Sequence, residues 1–302
     1  MRKIKEIGHL LVSAGKAWND DNVSMMSGSL AYSTIFSIAP LLIISIAVAG
    51  FVFGAEASRG EIFAAMQGLI GPDGAKTIQA LVESSSQKPN AGIFATILGV
   101  ITLLLGASSA FSQLQQSLNL IWKVKLKPTT GVWAIVRQRL LSFSMVLVIA
   151  FLLLVSLVLG AAISALGTFL GSRLPGGEAF WQVLNAVISF GVTSLLFAAI
   201  FKILPDIKLG WKDVWRGAVI TALLFTVGKF LIGLYLGRSG VTSSYGAVGS
   251  LVVVLLWVYF SSAILFYGVE LTRAYVTWAG REVTPVDESE IVSTISIHNK
   301  TA

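Results

Sequence analysis

A chain of 302 residues that is 55% hydrophobic and only 12% charged carries about half the roughly 25% charge of a soluble domain, which excludes a water-soluble globule and puts lipid around most side chains. The lack of cysteine removes disulfides, thiolate metal sites and cysteine nucleophiles together. A net charge of +7 fits either nucleic acid or cations held at the cytoplasmic face of a membrane, and the placement of the charges decides between them.

In chain order, Ile4, Ile7, Leu11, Ala14 and Trp18 share one helical face, with Lys3, Lys5 and Lys16 around it, the pattern of an amphipathic helix lying in the membrane interface. No apolar core long enough for a cleaved signal follows before Asn19-Asp20-Asp21. A bilayer core of about 30 Å needs roughly 20 apolar helical residues, and six stretches supply them: 28–53, 91–110, 140–170, 179–204, 214–236 and 246–274. The expected fold is therefore all-α: a polytopic membrane protein with six transmembrane helices in a single membrane domain over 1–279, followed by a flexible cytoplasmic tail over 280–302.

In the first span Ser29, Ser33 and Ser37 recur every four residues. Tyr32, Ser33, Thr34 and Ser37 gather polar groups in one half, and Pro40 removes a backbone hydrogen bond and should kink the helix. Gly106 and Ala110, then Gly160, Ser164 and Thr168, then Gly233 and Gly237 repeat the small-residue spacing in later spans. Such stripes let helices approach closely in lipid; a pathway lined by hydroxyls is the sharper reading for span one. Between spans one and two, 54–90 reads as two helical pieces. Ser58 and Glu61 form a capping box before the first, and Gly71-Pro72-Asp73-Gly74 is a turn between them. This pair is expected on the membrane surface or over the mouth of the bundle.

Ionisable residues inside spans cost several kcal/mol unless solvated or paired (roughly 2.5–3.5 on insertion scales). Lys229 in span five either snorkels outward or faces an internal cavity that takes an anionic group. Glu270 lies near the inner end of span six, where Arg139, Lys202, Arg216 and Arg273 are its expected partners in an inner-face polar cluster, acting as structural anchor or as gate. Span six also carries Tyr245, Trp257 and Tyr259, the last two mid-span, where N–H and O–H need partners within the bundle. The glycine-rich residues 243–250 before them are expected to break the helix and expose backbone groups.

Counting Lys and Arg by loop orients the chain. Arg2, Lys3, Lys5 and Lys16, then Lys123, Lys125, Lys127, Arg137 and Arg139, then Lys202, Lys208, Lys212 and Arg216, then Arg273, Arg281 and Lys300 fall on one side. Arg59, Lys76, Lys88, Arg173 and Arg238 fall on the other. This imbalance places both termini in the cytoplasm and explains the basic charge without nucleic acid. The only histidines are His9 and His298, and no HExxH, P-loop or GxSxG motif occurs. Catalytic residues, metal ligands and cofactors are therefore not expected.

Several motifs together resemble the bacterial YihY/BrkB family. They are Leu30-Ala31-Tyr32 through Ser37-Ile38-Ala39-Pro40-Leu41-Leu42, Ile121-Trp122-Lys123-Val124, Leu204-Pro205-Asp206 with Trp211 and Trp215-Arg216-Gly217, Tyr245 through Ser250, Leu255-Leu256-Trp257-Val258-Tyr259 and Gly268-Val269-Glu270-Leu271. Val269 departs from the alanine usual there. The resemblance implies a six-helix protein of the bacterial inner membrane. Some members carry the label ribonuclease BN, which these residues do not support; others are linked to serum resistance or envelope phenotypes. The expected function is a transporter or a lipid-handling protein of the envelope with anionic membrane lipids as partners; the alternative is a non-transporting scaffold or assembly factor.

Overall fold

The computed structural model describes residues 2–86, 109–126, 177–238, 249–286 and 289–291. Its helices are α1 (Arg2–Asp20), α2 (Val23–Phe53), α3 (Ala55–Ser86), α4 (109–121), α5 (Gly177–Ile203), α6 (Trp211–Arg238) and α7 (Gly249–Trp278). Short strands β1 (Val124–Leu126), β2 (Ile207–Lys208), β3 (Thr284–Pro285) and β4 (Ser289–Ile291) lie between and after them. Among the described residues, three helical stretches are long and apolar enough to cross a membrane: Val183–Ile203, Trp211–Tyr235 and Leu251–Trp278. At most 33% of each is buried inside the protein. Their outward faces carry Val183, Val187, Leu223, Val227 and Phe230, all exposed, an apolar surface that lipid covers and water does not tolerate.

α7 is the hub. It packs against α6, α2, α1 and α3, while α5 packs against α6. Close approach of α6 and α7 has a specific cause. A Cβ at Gly217 would overlap Thr272 Oγ1, and a Cβ at Gly268 would overlap Thr221 Oγ1. Each threonine hydroxyl is in turn satisfied four residues back, Thr221 donating to the Gly217 carbonyl and Thr272 to that of Gly268, both at 2.7 Å. The result is a reciprocal lock, Gly217–Thr221 on one helix against Gly268–Thr272 on the other, with both threonine hydroxyls paired. Two apolar cores flank it. One joins Val23, Leu118, Ile121, Phe201, Val214, Phe266 and Val269. The other joins Ala39, Ile46, Phe63, Ile78, Val82 and Val254.

α2 and α6 begin, and α4, α5 and α7 end, at one pole of the bundle. The strands close it: β1 pairs antiparallel with β4, Lys125 opposite Glu290, and β2 with β3, Ile207 opposite Pro285. Within the segment after residue 280, expected as a flexible tail, Thr284–Pro285 and Ser289–Ile291 are thus paired to strands at the helix ends.

Other expectations change as well. The stretch 54–90 is not two pieces, because α3 runs unbroken from Ala55 to Ser86 with Pro72 inside it; the buried side chains Phe63, Ile78 and Val82 on both sides of Pro72 hold one helix against α2 and α7. α1 is amphipathic, yet its Ala14 is fully buried and Tyr267 on α7 donates a hydrogen bond to the Leu11 carbonyl at 3.1 Å, so protein covers part of the face expected to meet lipid. The small-residue contact in span five falls at Gly217, ahead of the Gly233 and Gly237 pair; Gly233 has open space beside it. Span three, nearly all of span two, and the residues 243–248 expected to break the helix before span six lie outside the described residues.

Candidate functional site at the polar pole

The last turns of α7 carry Glu270, wholly buried, and Arg273, a quarter exposed. Arg273 Nη1 donates to Asp21 Oδ2 at 2.8 Å and to the Ile121 carbonyl at the end of α4. It lies 3.5 Å from Glu270 Oε2. Lys123 Nζ donates to the other oxygen of Asp21. One guanidinium thus serves two carboxylates, and the four side chains come from three separate segments. Neither oxygen of Glu270 has a hydrogen-bond donor among the described residues, so its burial is offset by the ion pair with Arg273.

The backbone is shaped for this contact. Asn22 (φ 54°) and Lys123 (φ 55°) are the non-glycine residues with positive φ among the described residues, and they adjoin and pair with the same Asp21. Asn tolerates the left-handed region and here separates α1 from α2; for Lys the same conformation stores strain of order 1 kcal/mol. Burial works against ionisation of Asp21, but the hydrogen bonds from Lys123 and Arg273 outweigh it and hold this carboxyl below the ordinary aspartate range.

Beside the cluster, Asp206 accepts from Asn119 Nδ2 at 2.7 Å and Gln115 Nε2 at 3.2 Å, while its own N–H donates to Asn119 Oδ1 at 2.9 Å. Asp213, in the first turn of α6, accepts from the Gly210 N–H and pairs with Arg281.

Of the described residues expected around Glu270, only Arg273 is beside it. Lys202 instead donates to the Leu209 carbonyl, capping the turn after α5. Arg216 stacks over Tyr275, 4.9 Å from the ring centre. Arg139 lies outside the described residues. In α2, Ser37 is buried and shares a 2.6 Å hydrogen bond with Ser109 of α4, whereas Tyr32 is exposed and packs edge-on to Phe36; Ser33 is half-buried and the helix continues through Pro40. Trp257 and Tyr259 are half-buried on α7, with Trp257 Nε1 lacking an acceptor among the described residues. Tyr245 lies outside them. Lys229 is exposed on α6, beside the exposed Phe230. Sequence reasoning missed Asp21 and Lys123 as members of the site, and the Asp206 and Asp213 pairs. The Gln115 and Asn119 spacing of four was the one local signal for the Asp206 contact.

Residues 14–289 match the family described as virulence factor BrkB. The chain belongs to the BrkB family. The match takes in every member of the ion-pair cluster, from Asp21 to Arg273. The UPF0761 membrane protein of Pseudoalteromonas translucida is 26% identical over 275 residues, covering 90% of this chain and 88% of that protein. That of Psychromonas ingrahamii is 27% identical over 279 residues, covering 90% and 89%. A Psychrobacter relative is 25% identical over 266 residues, and there the match covers 88% of this chain but 48% of the longer protein, so the chain spans about half its length. All three are described as membrane proteins. No solved structure matches the chain.

Proposed function

We propose that this BrkB-family chain is a six-span protein of the bacterial inner membrane, with both termini and the polar pole in the cytoplasm, and that it moves an anionic lipid or solute. The observation carrying this reading is the cluster that joins the wholly buried Glu270 to Arg273, Asp21 and the exposed Lys123. Glu270 is shut inside the protein, where a carboxyl group is costly to keep. A wholly buried carboxyl group with Arg273 at ion-pair distance and no hydrogen-bond donor among the described residues is better explained by work than by packing. Because the cluster ties α7 to the α1–α2 corner and to the end of α4, opening it frees the inner ends of three segments at once. The cluster is the gate, and Lys229 is an outer station for negative charge. Hydrolysis of RNA or of any other substrate is not part of this proposal.

The test is lipid movement in proteoliposomes of the full chain, with fluorescent phosphatidylglycerol and phosphatidylcholine as probes. The wild-type protein is expected to speed transfer of phosphatidylglycerol between leaflets, and Glu270→Gln and Lys229→Leu to slow it toward the protein-free rate while reconstituting equally well. Wild-type vesicles indistinguishable from protein-free ones would remove the lipid-handling form of the reading. A non-transporting scaffold is the second reading. The tight Gly217–Thr272 lock and the exposed position of Lys229 favour it, and it expects no lipid movement in any of these proteins.

A further inference from the structure

The first two turns of α6 carry a feature that the ion-pair cluster does not use. Trp211 and Trp215 are four residues apart and share one helix face; Lys212 and Arg216 form a parallel stripe beside them. Arg281, from the segment after α7, is brought alongside by its pair with Asp213. These two indoles and three cations line an open cleft of about 400 Å³. Three cations against the one carboxylate of Asp213 leave it positive. Trp211 is 53% exposed and Trp215 45%, which leaves two large apolar rings without protein cover.

The position resolves that exposure. Trp211 opens a stretch long enough to cross a membrane, so the cleft sits at headgroup depth. Indoles are favoured there, with the ring toward the acyl chains and the N–H toward the headgroups. Cations at this depth attract anionic lipid. We infer that the cleft binds one anionic phospholipid, its phosphate held by Lys212, Arg216 and Arg281 and its glycerol and upper acyl chains against Trp211 and Trp215. Free phosphate shares the charge chemistry but leaves the two indoles without a partner. The inference rests on the membrane placement in the proposed function and not on transport itself.

The test uses the full chain in vesicles containing brominated phosphatidylglycerol or brominated phosphatidylcholine, reading tryptophan quenching. A W211F/W215F protein supplies the background from the other tryptophans. Brominated phosphatidylglycerol is expected to quench the Trp211 and Trp215 signal at a severalfold lower mole fraction than brominated phosphatidylcholine. Each cation is worth about fivefold, so K212Q/R216Q should bring the two lipids to nearly equal quenching. K212Q alone, at an exposed position that leaves the Arg216–Tyr275 stack intact, should show the single step if the double variant folds poorly. Equal quenching by the two lipids, or a preference unchanged in K212Q, overturns the inference. Displacement of the lipid by millimolar inorganic phosphate would make this a phosphate site and overturn it too. The Glu270→Gln protein is expected to keep the quenching preference while losing transport, so failure here and failure of the transport reading are told apart.

Discussion

Asp21 is the residue on which the polar pole turns, because it accepts from both Lys123 and Arg273. Its carboxyl titrates lower in the folded protein than in the unfolded chain. A depressed folded value contributes stability that is present above the unfolded pKa, about 3.9 for Asp, and is lost as pH falls through the folded value. Asp21→Asn is therefore expected to destabilise the protein by about 1.5–3 kcal/mol at neutral pH, the range for hydrogen bonds to charged groups. It should also flatten the fall in melting temperature on acidification below pH 4. Thermal unfolding in detergent across pH checks this; wild-type and variant curves running parallel through the acid range would contradict it. Little of this was legible in the sequence. Glu270 announces itself as a carboxylate in an apolar run, and Arg273 lies one turn on. Asp21 looks only like the polar end of an amphipathic helix, and its role depends on a left-handed Asn22 that composition does not reveal.

At the scale of helices, the α6–α7 pairing is fixed by backbone approach more than by greasy surface, since lipid competes equally for apolar side chains. Gly217→Ala inserts a methyl group where Thr272 Oγ1 already sits, and overpacking of this kind costs about 1–3 kcal/mol. Adding Thr272→Ala removes the clashing oxygen and should recover part of the loss. A Gly217→Ala protein that melts at the wild-type temperature would show that the helices do not meet there. The spans themselves were legible: 179–204, 214–236 and 246–274 differ by only a few residues at either end from α5, α6 and α7, because an unbroken apolar run has no other way to satisfy its backbone in lipid. The lock was not legible, since spacing alone does not distinguish Gly217–Thr221 from Gly233–Gly237. Nor was the single helix α3, whose Gly71-Pro72-Asp73-Gly74 reads locally as a turn and is overridden by tertiary burial on both sides.

For the whole molecule, helix ends, strands and charged side chains converge on one pole. Lys123, Lys125, Lys202, Lys208, Lys212, Arg216, Arg273 and Arg281 all lie there, on the helix ends and the segments between them. The cationic loops that orient the sequence are thus the same segments that build the cluster and the Trp211 cleft. The proposed gate requires that pole to face the cytoplasm. Because the chain has no cysteine of its own, one introduced at a time reports its side of the membrane without background. Glu56, just beyond the far end of α2, and Glu282, after α7, are both exposed. In intact cells stripped of their outer membrane, Glu56→Cys is expected to react with a membrane-impermeant maleimide, and Glu282→Cys only after the membrane is broken. Labelling of Glu282→Cys from outside, with Glu56→Cys protected, would contradict the orientation and the inward-facing gate with it.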